Sequence, residues 1–554
     1  MAIDLHPLDW AVIGGYFVLI LIIGLVAARR VKGTHDYFLG GRSFNVWILI
    51  AQSFGVGTHA EMPVSLTGAA FRSGYAAIWY QWKNLFITPF YWILAPVFRR
   101  CRCTTIGEFY ENRYGHWMGG VYSMFALSYF IFNLGAMMKG AGKLVSAAAG
   151  GSVEPNTVVF VMTFTFLIYS FVGGLYAAAY TDFVQSFFII GLSFMLVPLG
   201  LAEIGGFTAI RTTLPDEMLS MVAPGDIGVF MIVVLTLNGL VGIMAQPHQL
   251  AAVGTGKDEK TCRVGMAYGN FTKRFCTIGW ALTGLIVVVM VMQRGETLSD
   301  PELAFGFATR ALLAPGFVGL MIACVLAANM STCSAMMVDG GALFTQNLYR
   351  RYIRKEASDR HYLAAGRYSG LAVTALGVLF GFYVDSVLEA FLFTETIAAF
   401  MGISMFGAMC WKRANRWGAL ASLVTSSIVF FVLTQQQYGE FLKWEPMNCL
   451  IALGVGFAAL IVVSLMTKAE TAETTTSFYE NLDSPTYLDE KTGEEVAERG
   501  EGHELLIVKL GDLRLSQGFG QFYRRFRVDL VGLVGAFGVV IALIIMARII
   551  LWLP

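Results

Sequence analysis

The sequence predicts an all-α polytopic membrane protein whose core is an inverted repeat of two five-helix halves. Three observations carry this. First, 56% of the 554 residues are hydrophobic and only 14% are charged, far from the composition of a soluble domain. Second, about 14 apolar runs are long enough to cross a hydrocarbon core of ~30 Å. Third, two of those runs, each opening a set of five, are interrupted by glycine, proline and polar residues. Five spans per set is an odd number, so the second set enters the membrane from the opposite side.

In chain order, the run 9–28 makes an extra N-terminal helix within residues 1–43. It has no basic leader or cleavage site, so it is expected to be retained. The first half, 44–204, holds spans 44–70, 76–98, 116–148, 155–176 and 181–204. The second half, 226–411, holds 226–247, 269–293, 311–345, 363–385 and 388–411. Residues 412–466 add two accessory helices, 417–435 and 446–466. An acidic, Thr-rich insert over 467–529 is expected to be a solvated tether, and 530–554 carries the last span. Loops after odd-numbered spans hold 27 Lys and Arg, against 5 in the termini and the other loops. This bias puts the basic loops and the insert in the cytoplasm and both termini outside. A net charge of +1 implies no nucleic-acid partner, and the eight cysteines have neither disulfide-framework nor zinc spacing.

The stretch Ala51 to Gly68 organises the rest. Gly55, Gly57 and Pro63 work against a smooth helix, and Thr58, His59 and Glu61 place polar groups at membrane depth. Broken backbone survives there only where it is buried in protein or lines a watery cavity. A kinked structural helix with mutually paired polar groups is the plainer alternative. The second half opens with a matching interruption, Asn238 to Gln249. Paired interruptions in opposed halves are the sequence mark of an inverted-repeat secondary transporter. In span 311–345, Ala328, Ser331 and Thr332 fall at i, i+3 and i+4 on one helix face, with Ser334 one turn beyond Ser331. Two hydroxyls and a carbonyl there, with carbonyls freed at the first break, would suit a hard cation such as Na⁺. The same pattern also serves helix packing, with hydroxyls bonded back to the preceding turn.

Four motifs carry a resemblance. FVGGLYAAAYTDFVQ (Phe171–Gln185), AANMSTCSA (Ala327–Ala335), CWKRANRWGA (Cys410–Ala419) and TTIGEFYENRYG (Thr104–Gly115) are similar, in register, to those of the sodium/solute symporter family. That family includes sodium/proline and sodium/glucose cotransporters. The resemblance implies a LeuT-type five-plus-five fold and sodium-driven uptake by alternating access, not an enzyme. It implies Na⁺ ligands at the carbonyls of Gly55, Thr58 and Ala328 and the hydroxyls of Ser331 and Thr332. Asp182, with Ser334, falls where some members hold a second Na⁺; a helix N-cap is the other reading of Asp182.

Neither the sugar nor the proline pattern of the broken helix is kept, since Met62, Gln81, Gly57 and Glu61 stand at those positions. The polar residues His59, Glu61, Gln81, Asn84, Asn133, Lys139, Asn238, Gln246 and Glu395 remain as solute-site candidates. Lys139, mid-span, points to a carboxylate or amino acid as solute. A sugar or polyol symporter, a proton-coupled symporter using His59, Glu61 or Asp182, and a symporter-like sensor are the alternatives. The chain is expected in the inner or plasma membrane, in contact with lipid.

Overall fold

The computed structural model describes the backbone outside residues 1–4, 30–36, 39–43, 56, 60, 224–226, 249–252, 441, 489–494, 498–503, 511–518 and 554. The main helices are α1 (Pro7–Ala28), α2 (Val46–Gly55), α3 (Glu61–Ser73), α4 (Tyr91–Arg100), α5 (Ile106–Tyr114), α6 (His116–Ala148), α7 (Pro155–Ile204), α8 (Val229–Gly242) and α9 (Glu259–Arg294). They continue as α10 (Phe317–Leu343), α11 (Asp359–Tyr383), α12 (Val387–Cys410), α13 (Arg416–Tyr438), α14 (Pro446–Met466), α15 (Ala472–Asp483), α16 (Leu506–Lys509) and α17 (Arg527–Ile550). Among the described residues, ten helices are long and apolar enough to span a membrane, and three shorter apolar stretches include α2 and α8.

Both predicted interruptions are present. α2 stops at Gly55 and α3 starts at Glu61, with Thr58 N donating to Gly55 O at 2.9 Å. Pro63 falls in the first turn of α3, where a missing N–H costs nothing, so the proline starts a helix rather than kinking one. α8 likewise ends at Gly242, and the chain turns through Ile243 to Ala245.

Three expectations are corrected. Span 76–98 is not one helix: short turns at Tyr75–Ile78, Trp79–Trp82 and Thr88–Phe90 precede α4, and Pro89 lies in the last of them. Residues 177–180, between spans 155–176 and 181–204, are helical rather than an irregular turn; Ala177 to Ala179 favour helix after the Gly-Gly pair. The insert is not a free tether. α15 buries Phe478, Tyr479 and Leu482, and Tyr479 OH donates to Ala408 O at 2.8 Å. The Arg113 guanidinium lies over both the Phe478 and Tyr479 rings. Within the same insert, Thr486–Leu488 and Glu495–Ala497 pair as a small antiparallel hairpin, β1–β2, in an otherwise helical chain.

α9, α10 and α12 are buried along most of their length, whereas α1, α11 and α17 show Val18, Ile22, Leu379 and Ile541 outward. An apolar outer ring around a buried trio is the arrangement a bilayer requires. Asp9 fixes α1 to the start of α10, accepting from Gly316 N at 2.6 Å and Gly319 N at 2.7 Å. A carboxylate there satisfies helix-terminal N–H groups and suits the positive end of the helix dipole.

Candidate ion and solute site

The break and α10 meet through oxygen atoms. Thr332 Oγ1 lies 3.2 Å from Gly55 O and 3.2 Å from Ala328 O. One hydroxyl proton satisfies one carbonyl at a time, which leaves lone pairs of the others directed at the same small space. The Thr58 and Ser334 hydroxyls are buried without a hydrogen-bond partner among the described residues. The Ser331 side chain lies outside the described residues. Ser334 is two residues from Thr332, some 200° around the helix, and therefore faces elsewhere.

Asp182 adjoins this cluster. A Cβ built on Gly55 would fall 2.7 Å from the Asp182 carboxyl carbon, so glycine at 55 is what lets the carboxylate approach. Asp182 sits inside α7, not at a helix start, so the capping reading fails. Ser186 Oγ donates to Asp182 O at 2.7 Å and braces that turn.

Beside the break is a small cavity of about 40 Å³. His59, Asn84, Asn133, Gln246, Lys273, Arg274 and Glu395 are among its lining residues. His59 Nδ1 contacts Glu61 Oε1, and Glu61 is fully buried behind it. Gly140 of α6 packs against Glu61, where an added Cβ would lie 2.7 Å from the Glu61 Cα. Glu395 accepts from Lys83 Nζ at 3.1 Å and from Gln246 Nε2 at 3.2 Å. Arg274 donates to the Gln81 carbonyl at 3.0 Å.

Among the solute-site candidates, His59, Asn84, Asn133, Gln246 and Glu395 line this cavity, while Glu61, Gln81 and Asn238 are buried outside its lining. The Gln81 side-chain amide has no partner among the described residues, and Asn238 Oδ1 accepts from Cys449 Sγ at 3.3 Å. Lys139 is half-buried and absent from the lining, and Glu61 is in contact with His59 rather than with Lys139. Adjacent helix residues diverge by 100°, so with Gly140 turned onto Glu61, Lys139 is directed away.

The ammonium in the cavity is Lys273, which the sequence reading left out. Its Nζ would be 3.3 Å from a Cβ on Gly57, and the side chain is 5% exposed. In sequence, Lys273 and Arg274 look like cations at the margin of span 269–293. α9 begins at Glu259, which puts them about 20 Å along the helix. The polar start of α9 hid that depth.

Residues 37–426, most of the chain, match the model of the sodium:solute symporter family. The chain belongs to that family. The osmoregulated proline transporter OpuE of Bacillus subtilis is 27% identical over 439 residues, 76% of this chain and 87% of OpuE. Sodium/glucose cotransporter 1 of Ovis aries is 23% identical, covering 82% of this chain and 76% of the relative. Among solved structures, a substrate-bound, outward-open Na⁺-coupled sialic acid symporter superposes with a TM-score of 0.71 at 18% identity, over 84% of this chain and 99% of that one. The fold is therefore shared with that symporter. Family membership makes this chain an integral membrane protein and a sodium-coupled symporter of a small solute, with Na⁺ as cotransported substrate.

Proposed function

We propose that the chain imports a small solute bearing a carboxylate, driven by Na⁺ bound where α10 meets the break between α2 and α3. The observation that carries the ion site is the Thr332 hydroxyl lying 3.2 Å from both Gly55 O and Ala328 O. Several neutral oxygens around one space suit a hard cation. Thr58 and Ser331 complete the set in this reading, and Asp182 serves a second or departing ion, without Ser334, which faces away. The core is the five-plus-five inverted repeat of residues 44–204 and 226–411 within about fourteen spans, with the insert 467–529 cytoplasmic and both termini outside. The 27 to 5 distribution of basic residues supports that orientation.

Charge in the cavity supports the carboxylate. Glu395 is in contact with Lys83, and Glu61 with His59. Lys273 has no ion pair among the described residues, and Arg274 meets only a neutral carbonyl. Buried cations left over in a solute cavity call for an anionic partner. His59, Asn84 and Gln246 then contact the rest of the solute, and Gln81 and Asn238 support the wall. Competition between a labelled carboxylate solute and a panel of sugars, amino acids and organic acids in proteoliposomes tests this. Carboxylates should compete, and Lys273→Gln should weaken them selectively; competition by neutral sugars alone would overturn the assignment.

A further inference from the structure

α10 carries another acidic residue that neither the ion site nor the solute cavity uses. Asp339 lies seven residues beyond Thr332, within about 20° of the same helix face and about 10 Å further along the axis. The residue is 6% exposed. No ion pair or side-chain hydrogen bond to it occurs among the described residues, and its carboxyl oxygens keep some accessible surface.

The other faces of this stretch of α10 pack mostly apolar groups, with the Arg367 guanidinium 5.4 Å from the Tyr37 ring. Val338 and Ala342 pack with Tyr37 and Phe38, and Gly340 faces Phe130 and Val373. Met337 and Gly341 meet α11, where a Cβ on Gly341 would clash with Gly366 O at 2.3 Å. That tight seam lies opposite the face shared by Thr332 and Asp339, and on that face Thr332 meets Gly55 O at 3.2 Å. The end of α10 nearer Asp339 runs into Arg350, Arg351, Arg354 and Lys355, the basic-loop side.

A carboxylate without a cation is costly in such a place, and a neutral carboxyl would leave its own O–H without an acceptor. Acidic groups retained inside membrane proteins mark ion pathways. We propose that Asp339 is an inner Na⁺ site: sodium leaving the Gly55, Ala328 and Thr332 oxygens passes Asp182 and binds Asp339 before release to the cytoplasm. This rests on the sodium-symport reading and on the orientation given above.

The test is equilibrium binding of radioactive sodium to the purified full chain, with no solute needed. Wild type should show a tighter and a weaker component. Asp339→Asn, which keeps size and helix, should weaken the second at least roughly tenfold, the scale of one lost contact to a charge, and leave the first unchanged. Thr332→Ala should do the reverse, and Asp339→Glu should restore the second component in part. A wild-type binding curve for Asp339→Asn would overturn the inner site alone. Loss of both components in that variant, with a lowered melting temperature, would make Asp339 a packing residue and overturn it equally. No sodium binding by wild type would overturn the function reading itself, and the inner site with it.

Discussion

Thr332→Ala removes the side-chain oxygen that joins α10 to the break. In the structure that oxygen faces two carbonyls, Gly55 O and Ala328 O, each at 3.2 Å. Its worth to folding is that of one neutral hydrogen bond, about 0.5–1.5 kcal/mol, and alanine's better helix propensity offsets part of it. Its worth to a bound cation is that of a ligand to a charge, about 1.5–3 kcal/mol. At 1.4 kcal/mol per factor of ten, sodium half-saturation should rise roughly 10- to 150-fold, while stability falls by about 1 kcal/mol at most. Uptake measured against graded external sodium, beside a thermal melt of the same preparation, separates the two effects. Thr332→Ser keeps the oxygen and should stay near wild type. An alanine variant with unchanged sodium half-saturation would show that the hydroxyl is only packing.

The remaining predictions concern topology, the second carboxylate and the docked insert. A cysteine at exposed Ser477, in a cysteine-free background, should resist impermeant thiol reagents in intact cells and react after permeabilisation; labelling in intact cells would reverse the orientation. Asp182→Asn should slow transport with nearly unchanged melting, and normal transport at low sodium would remove Asp182 from the ion path. Glu470 accepts from Arg416 N and Nε, both at 2.9 Å. Burial opposes its ionisation, but the Arg416 hydrogen bonds and charge hold its carboxyl below the usual carboxylate range. Such a group stabilises the fold above its unfolded pKa, and that stability is lost as pH falls through the lower folded value. Melts across the acid range should therefore fall more steeply for wild type than for Glu470→Gln, and parallel curves would dismiss the pairing.

The parts legible in the sequence were those set by local chemistry. Gly55, Gly57 and Pro63 announced a break, and Pro63 then proved to start α3. The i, i+3, i+4 spacing on α10 brought Ala328 and Thr332 to one face. What stayed hidden depended on where helices begin. Lys273 looked marginal because the first two turns of α9 are polar, and α7 is continuous because alanines carried helix through residues 177–180. Lys139 looked central from its depth in a span, but depth does not give rotation, and only packing of Gly140 on Glu61 settled where it points. In the insert, an acidic composition concealed Phe478 and Tyr479, two aromatic anchors for Arg113.

The most direct test of the central claim is accumulation of a labelled carboxylate solute by proteoliposomes holding the purified chain, with sodium, potassium or proton gradients imposed separately. An inward sodium gradient should drive uptake above equilibrium, and potassium or a pH gradient alone should not. Equal accumulation without sodium, or accumulation driven by the pH gradient through His59 and Glu61, would contradict sodium coupling at Gly55, Ala328 and Thr332.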